Sequence, residues 1–241
     1  YAGKKHQHPW YLLSMLLLAD AGYRVFVHGC DGHTAGRLYT EQAMQALGLP
    51  VAGNWQEVAD QLENRQLSYL PLRTFCGPLH ELMQLRPLLG LRSPVNTLTR
   101  MLNPLKSPAS IQSIFHPAYG GLHQEADCLL GQPRSLVFKG DSGEVEVKPQ
   151  ADTRLQLLVD GNSRAQVLSR SLTGKVAPVG LPSVDPLRKL WRGESPDEYG
   201  LDALLATTAT ALLALGSSEH IADCRAQAEL LWQARDREVL S

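Results

Sequence analysis

The alternation of short strand-like runs with helical segments is the feature that most limits how this chain can fold. Apolar residues recur at helical spacing over His8–Ala21, and strand-like runs follow at Tyr23–His28 and Leu67–Leu72. Two further strand-like runs lie at Ile111–Phe115, which a helix follows, and at Ser135–Gly140. This βα order predicts an α/β fold with a mainly parallel central sheet flanked by helices.

Helical segments separate and follow these strands. Helical spacing predicts helices over Thr40–Leu47, Trp55–Arg65 and Leu79–Leu89, the last interrupted by Pro87. Asn54, with Glu57 three residues later, forms a capping-box pattern for the second helix. From Asp197 to Glu238 the pattern is wholly helical, and we expect helices rather than strands at this end of the chain.

Two segments between the strands and the last helices have weaker patterns. Gly143–Pro149 alternates with period two and predicts a half-exposed strand. Gly161–Asp185 is rich in Gly, Ser and Pro around an alternating run, which is typical of a long loop or a β-hairpin on the rim of the sheet. We leave both interpretations of the second segment open.

Basic residues are concentrated in one part of a nearly neutral chain. The formal net charge is −1, which argues against a protein that is basic over its whole surface. Residues 1–120 nevertheless contain ten Lys and Arg against seven Asp and Glu, and no acidic residue occurs from Gln84 to Gln124. A cationic face and an ordinary solvated surface both explain this stretch. Its cations are Arg86, Arg92, Arg100 and Lys106.

Cysteine usage and hydropathy indicate the compartment. The four cysteines are scattered without a C-x-x-C pair and follow no signal peptide, so we expect reduced thiols in a cytoplasmic protein and no zinc site. The longest apolar run, Tyr11–Ala19, is shorter than the roughly 20 residues that cross a membrane, and we expect no membrane partner. The chain begins at Tyr1 and enters a helix almost at once, so we expect that an upstream helical segment is missing.

The loop after the first strand is the first candidate for a ligand site. His28 and Gly29 end this strand, and a small polar loop joins it to the next helix. Ligands of open α/β folds bind at such turns, where free backbone N–H groups and the helix dipole favour an anion. The loop is therefore a phosphate-site candidate, although many loops of this kind only connect two elements.

Three stretches together resemble anthranilate phosphoribosyltransferase and its relatives, glycosyltransferase family 3 enzymes that share their fold with pyrimidine nucleoside phosphorylases. They are "VFVHG" with the following "QALG", "LRPLLGLRSPVNTLTRMLNPL" and "SLVFKGDSGEVEV". The second is the most specific, because Arg86, Arg92, Asn96 and Asn103 fall in register with the family pattern. The resemblance implies the phosphorylase and phosphoribosyltransferase catalytic-domain fold over residues 1–241, with a smaller helical domain to which segments near 30–50 and 80–105 contribute.

The same resemblance shows departures at the positions that would hold ribosyl diphosphate. The enzymes carry Gly-Thr-Gly-Gly-Asp where this chain has "YAGKK", which supplies Lys4 and Lys5 in place of glycines. A backbone nest for a diphosphate needs several glycines. In the second loop Cys30 replaces an Asn, and only Thr34, Gly36 and Arg37 are left as phosphate donors.

The family's magnesium-binding acidic pair is also altered. Val145 and Glu146 stand where the Asp-Glu pair would be, with Glu144 one place earlier, and on a strand Glu144 and Glu146 would share one face. We expect them to be exposed carboxylates on an edge strand and only weak metal candidates. We expect no cofactor, and magnesium only if the protein is an active transferase.

These departures lead to the functional prediction. In the enzymes, the arginine at the position of Arg86 contacts the acceptor's carboxylate, and its retention suggests a cationic cleft. One branch of the family is similar in "YAGKK", "FCGPL" and "GEVEV" and contains dimers that bind nucleic acid without sequence preference. We therefore predict a homodimer that binds nucleic acid non-specifically through phosphates; the alternatives are an active phosphoribosyltransferase on an unidentified acceptor and a structural paralogue.

No catalytic residue is assigned, and His6, His8, His116 and His123 are expected to be surface groups rather than catalysts. The predicted phosphate or nucleic-acid-binding residues comprise the end of the first strand, the polar loop and the cations described above. They are Lys4, Lys5, His28, Gly29, Thr34, Arg37, Arg86, Arg92, Arg100 and Lys106.

Overall fold

The computed structural model describes residues 2–32, 35–85, 88 and 94–240 and divides the chain into two units. The first unit contains the residues up to 99, residues 177–200 and the residues from 235 onward. The second unit contains residues 100–176 and 201–234. Each unit is built around its own parallel strand pair.

The first unit combines two parallel strands with helices. Its elements up to residue 99 are, in chain order, α1 (Tyr11–Asp20), β1 (Val25–Gly29), α2 (Thr40–Ala46), α3 (Trp55–Asn64), β2 (Leu67–Pro71), α4 (Leu72–Phe75), α5 (Gly77–Gln84) and α6 (Val95–Leu98). Strands β1 and β2 pair from Val25 opposite Leu67 to Gly29 opposite Pro71. The carboxyl ends of both strands therefore lie at the same edge.

The core of the first unit is centred on α1. Every residue of this helix from Tyr11 to Ala19 is buried, which explains why its sequence is apolar on all faces. The Tyr11 hydroxyl is 2.7 Å from the Thr40 hydroxyl, so its polar end is satisfied inside the core. Gly200 packs so closely on the Trp10 ring that a Cβ atom there would lie 2.7 Å from the ring.

The second unit is a four-stranded mixed sheet with helices. Its elements in chain order begin with β3 (Ala109–Ile114), α7 (Gly120–Leu129), β4 (Arg134–Lys139), β5 (Thr153–Val159) and β6 (Asn162–Leu168). Strand β3 pairs with β4 in parallel, and β4, β5 and β6 follow in antiparallel order.

Three further α-helices follow in the last third of the chain. Helix α8 (Asp185–Arg192) belongs to the first unit, and α9 (Glu198–Leu215) begins there and continues in the second. Helix α10 (Ile221–Ala234) belongs to the second unit. This end of the chain is helical, as its sequence pattern predicts.

The structure confirms the α/β class and the positions of the four predicted strands. The predicted run Gly161–Asp185 contains β6, which forms a hairpin with β5 and adds an antiparallel pair, so the second sheet is mixed rather than parallel throughout. The Asn54 cap is also confirmed, since its Oδ1 accepts from the Glu57 backbone N–H at 2.9 Å.

The predicted strand over Gly143–Pro149 is wrong. Polar and apolar residues alternate in this segment, but it is a folded loop in which Glu144, Glu146 and Val147 are all buried. The backbone turns back on itself, because the Asp141 N–H donates to the Glu146 carbonyl at 2.7 Å. A period-two pattern therefore arose here without a strand.

Candidate functional site

The segment containing Gly3 and Lys4 is joined to Leu38 by backbone hydrogen bonds. The Lys4 N–H donates to the Leu38 carbonyl at 3.0 Å, and the Leu38 N–H donates back to the Lys4 carbonyl at 2.8 Å. Gly3 has a φ of +115°, and a Cβ atom there would overlap the Leu38 carbonyl oxygen. This glycine therefore permits the close approach of the two segments.

The cations of these segments differ in their exposure. Lys4 is completely buried, so the prediction that it meets a phosphate from solvent does not fit this structure. Lys5 and Arg37 are half-buried, and Arg37 Nη1 donates to the Gly3 carbonyl at 2.6 Å. The Lys5 stem packs near Gly36. Lys5 and Arg37 are thus the described cations of this region that reach solvent.

His28 and Gly29 occupy the end of β1, but an aromatic cluster surrounds the histidine. The His28 ring centroid lies 5.6 Å from that of Phe75 and 6.3 Å from that of Phe26. Trp55 contacts both phenylalanines, with ring centroids 5.7 and 6.0 Å away. Gly29 is buried and pairs with β2. His28 therefore contributes a ring to a packed cluster as well as marking the end of the strand.

Three of the predicted phosphate-binding residues lie outside the described residues. They are Thr34, Arg86 and Arg92. The contribution of these three side chains stays a prediction.

Arg100 is a structural clamp in the second unit. Its Nη1 donates to the carbonyl oxygens of Ser113 and Gly143, each at 2.6 Å, and burial lowers the pKa of its guanidinium. The prediction that Arg100 faces a phosphate does not fit these contacts, because this nitrogen is used within the protein. Lys106, in contrast, is exposed in the turn before β3.

The two candidate metal-binding carboxylates are buried, which corrects the expectation that they are exposed. Glu144 is 4% exposed and Glu146 is 0% exposed. Magnesium is bound through oxygen ligands and usually keeps several water molecules, which such buried side chains do not meet. These two residues therefore do not fit a hydrated magnesium ion, and we derive no step through one.

A surface that sequence reasoning missed lies at the carboxyl end of β3. Phe115 and Tyr119 are 50% and 48% exposed, and His116 between them is exposed as well. The His116 ring lies 5.0 Å from that of Phe115 and 6.1 Å from that of Tyr119. Exposed Lys139 ends β4 and pairs with Ile114, the residue before Phe115. We call Phe115, His116, Tyr119 and Lys139 the edge surface.

The sequence "IFHPAY" contained a signal for this surface, because it places one aromatic ring at the end of a predicted strand and two more directly after it. The carboxyl ends of parallel strands are where open α/β sheets bind ligands. A pair of rings beside a lysine can stack on a planar base while the cation meets a phosphate.

Cys30 follows β1, where the resemblance has an asparagine. Burial and the neighbouring Asp31 raise the pKa of the Cys30 thiol to about 11. The thiol is therefore protonated near neutral pH and does not have the electropositive surroundings of an activated nucleophile.

Among the residues that the structure describes, no helix is both long enough and apolar enough to cross a membrane.

The fold and its strand-end loops define an α/β domain of the glycosyl-transferring class. The chain belongs to the glycosyl transferase family, a/b domain, which matches residues 12–233. It is an anthranilate phosphoribosyltransferase-like member, as its relatives indicate. The uncharacterized Escherichia coli (strain K12) protein YbiB is 27% identical over 160 residues, which cover 66% of this chain and 49% of YbiB.

Similarity to anthranilate phosphoribosyltransferases extends over more of the chain. The enzyme of Xanthomonas oryzae pv. oryzae (strain PXO99A) is 28% identical over 224 residues, which cover 87% of this chain and 62% of that protein. The first relatives are thus matched over about half of their length.

Solved structures show the same fold. The anthranilate phosphoribosyltransferase of Thermus thermophilus aligns with a TM-score of 0.76 at 23% identity, covering 99% of this chain and 74% of that one. The Saccharomyces cerevisiae enzyme in complex with PRPP and Mg aligns with a TM-score of 0.75 at 16% identity, covering 96% and 67%.

Proposed function

We propose that this chain is part of an anthranilate phosphoribosyltransferase-like protein that binds nucleic acid non-specifically, mainly through phosphates, and whose ribosyl-diphosphate site is degenerate. The observation that carries the proposal is the edge surface, where three exposed rings come at the end of β3 and exposed Lys139 pairs with Ile114, the last residue of that strand. Stacking on aromatic rings tolerates any base, because every base has a π face.

The electrostatic part of the proposal rests on exposed or half-exposed cations in each unit taken separately. Lys5 and Arg37 supply positive charge in the first unit, and Lys139 supplies it in the second. No acidic residue occurs from Gln84 to Gln124, the stretch that contains the three rings of the edge surface. Contacts of this kind release counterions and give affinity without sequence preference.

The loop around Gly3 supports the loss of the diphosphate site. A diphosphate nest presents several backbone N–H groups to the ligand. Here the Lys4 N–H already donates to Leu38, the Lys4 side chain is buried, and the glycines of the enzyme pattern are reduced to Gly3. Gly3 itself is required by the approach of Leu38.

Titration of the protein with fluorescent single- and double-stranded oligonucleotides at several salt concentrations tests the proposal. We expect affinity to fall steeply with salt, each phosphate contact adding about 0.7 to 0.9 to the slope of log affinity against log salt. Lys139→Gln should remove one phosphate contact and lower the slope of log affinity against log salt by about 0.7 to 0.9. Phe115→Ala combined with Tyr119→Ala should weaken binding by about 1–3 kcal/mol for each stacking contact that is lost.

Lys106→Gln is the matched control for Lys139→Gln. Lys106 precedes β3, whereas Phe115 follows it, so the length of the strand, about 20 Å, separates them. The assignment to the edge surface would be contradicted if Lys106→Gln lowered the oligonucleotide affinity as much as Lys139→Gln does. It would also be contradicted if the protein bound no oligonucleotide at low salt. Arg235, near the end of the chain, is 8% exposed and donates to the Trp191 carbonyl, so it is no control for surface charge.

An active phosphoribosyltransferase is the second candidate, favoured by the 28% identity to the Xanthomonas enzyme over 87% of this chain. A pyrophosphate-release assay with ribosyl diphosphate, magnesium and aromatic acceptors distinguishes the two. Turnover without nucleic-acid binding would replace the first proposal by the second. Assembly as a homodimer in the cytoplasm is part of the same proposal, and sedimentation of the whole protein measures the assembly.

A further inference from the structure

Three side chains with metal-binding donor atoms converge where β1 ends. They are Cys30, Asp31 and His80, and their donor atoms all lie within 4.8 Å of one another. The Cys30 sulfur is 3.4 Å from His80 Nδ1. Among the residues that the structure describes, these three side chains form the group of His, Cys, Asp or Glu whose donor atoms are close enough to share one metal ion.

The fold explains why these residues meet. Cys30 and Asp31 directly follow β1, and the parallel neighbour β2 leads through α4 into α5, which carries His80. The carboxyl ends of parallel strands share one edge, so the residues after β1 and β2 approach each other there. Gln84, one turn after His80, donates from Nε2 to the Asp31 carbonyl at 3.3 Å and ties α5 to the loop.

We propose that Cys30, Asp31 and His80 form a binding site for a divalent transition metal of the zinc class. A thiolate, an imidazole nitrogen and a carboxylate oxygen are the donor types that zinc takes, with a fourth position left for water or a ligand. The Cys30 thiol would release its proton when zinc binds, so binding should weaken as the pH is lowered. This site is independent of the edge surface and of the proposed nucleic-acid binding.

The distances fit this ion. Zinc bonds to sulfur at about 2.3 Å and to nitrogen at about 2.0 Å, so two such ligands at a tetrahedral angle lie about 3.5 Å apart. The observed separation of the Cys30 sulfur and His80 Nδ1 is 3.4 Å. The carboxylate of Asp31 is 47% exposed and can reach the same point by rotation of its side chain.

The surrounding groups support the donors. Gln84 Nε2 lies 3.8 Å from the Cys30 sulfur, a position from which it can orient a coordinating thiolate. Arg73 lies 3.9 Å from the Asp31 carboxylate, beyond hydrogen-bonding distance, because its two terminal nitrogens bond to Glu41 at 2.6 and 2.7 Å. Magnesium prefers oxygen ligands and octahedral geometry, so it is not the ion that this mixed set selects.

Titration of the whole chain with zinc alone, in competition with a chromophoric chelator, tests the site. We expect one zinc ion per chain, and a loss of affinity of more than about tenfold in Cys30→Ser, in Asp31→Asn and in His80→Ala. Cobalt(II) should give the intense absorption of a tetrahedral ion with a thiolate-to-metal band, and Cys30→Ser should remove that band.

Cys76→Ser is the matched control, since Cys76 is also a half-buried thiol near α5 but does not belong to the cluster. It should change zinc affinity by less than about twofold, and circular dichroism confirms that each variant is folded. Asp31→Asn alters an exposed side chain and keeps the test valid if a buried variant fails to fold. The proposal is overturned if the chain binds no stoichiometric zinc, if Cys30→Ser and Asp31→Asn leave affinity unchanged, or if Cys76→Ser weakens binding equally.

Discussion

The guanidinium of Arg100 donates to the carbonyl oxygen of Gly143 at 2.6 Å and thereby fixes the loop that follows β4. The same nitrogen reaches the Ser113 carbonyl at 2.6 Å, so one side chain holds the loop against the end of β3. The Ser113 hydroxyl also donates to the Gly143 carbonyl. The loop that would carry the family's acidic pair is therefore clamped from two sides.

Arg100→Ala should lower the free energy of unfolding by about 2–3 kcal/mol, because hydrogen bonds from a charged group are lost and buried carbonyls are left without them. Urea denaturation followed by circular dichroism measures the change. Lys106→Gln, which alters an exposed cation of the same unit, should change stability by less than about 0.5 kcal/mol. Equal effects of the two substitutions would contradict the clamp.

Gly140→Ala should destabilise the protein by more than about 2 kcal/mol, since its new Cβ atom would overlap the Glu144 carbonyl oxygen. The backbone of the loop would have to move to relieve this overlap. Gly121→Ala is the control, because Gly121 lies in α7 and its Cβ would meet only Gln156 Oε1 at 3.9 Å. Alanine favours a helix, so this substitution should be neutral or stabilising by up to about 1 kcal/mol. Thermal unfolding compares the two, and an unaffected Gly140 variant would show that the loop tolerates a side chain.

His123 is 2% exposed, which corrects the expectation that it is a surface group. It belongs to a buried polar chain that predicts a pH dependence of stability. Gln112 donates from Nε2 to both Asp127 oxygens at 2.8 and 2.9 Å, so its Oε1 is left to accept from His123 Nδ1 at 2.8 Å. Burial and, to a smaller extent, Arg100 lower the pKa of His123, although Asp127 raises it. The unfolded chain therefore takes up a proton near the ordinary value of 6.5 before the folded protein does.

Stability should fall as the pH is lowered from about 7.5 to 5.5, because protonation favours the unfolded chain in this window. Burial raises the pKa of Asp127, which acts in the opposite direction, so the contribution of His123 is taken from its substitution. His123→Gln should flatten the dependence, whereas His220→Gln at an exposed position should leave it as in the wild type. Chemical denaturation at each pH measures the free energy of unfolding. If this free energy changed with pH equally in the wild type and in both variants, His123 would not be the group responsible.

Ribosyl diphosphate with millimolar magnesium should bind weakly or not at all. The Lys4 N–H is already bonded to Leu38, and Glu144 and Glu146 are too buried to meet a hydrated ion. Isothermal titration calorimetry measures the affinity, with inorganic sulfate as a control for simple anion binding to the exposed cations of the first unit. Micromolar affinity for the diphosphate sugar would favour the active transferase instead.

Much of the fold could be predicted because it depends on local pattern. The apolar, β-branched runs of β1 to β4 and the Asn54 cap are visible in a few adjacent residues, and the structure has these strands within two residues of their predicted bounds. The segment containing Glu144 and Glu146 shows the limit of this reasoning. Its alternation is that of a strand, but hydrogen bonds from Arg100 and Asp141 hold it as a folded loop.

The sequence by itself determined the α/β class, the family and the residues available for chemistry, since these follow from periodicity and from motifs in adjacent positions. Only the tertiary structure decided which of those residues are available to a ligand: Lys4 is buried and Arg100 is bonded to backbone carbonyls, whereas the edge surface is exposed. The tertiary structure also places His80 beside Cys30, although the two residues are 50 positions apart in the sequence. The physical reason is that burial and convergence depend on long-range packing of parallel strand ends, which a charge or a motif in the sequence does not encode.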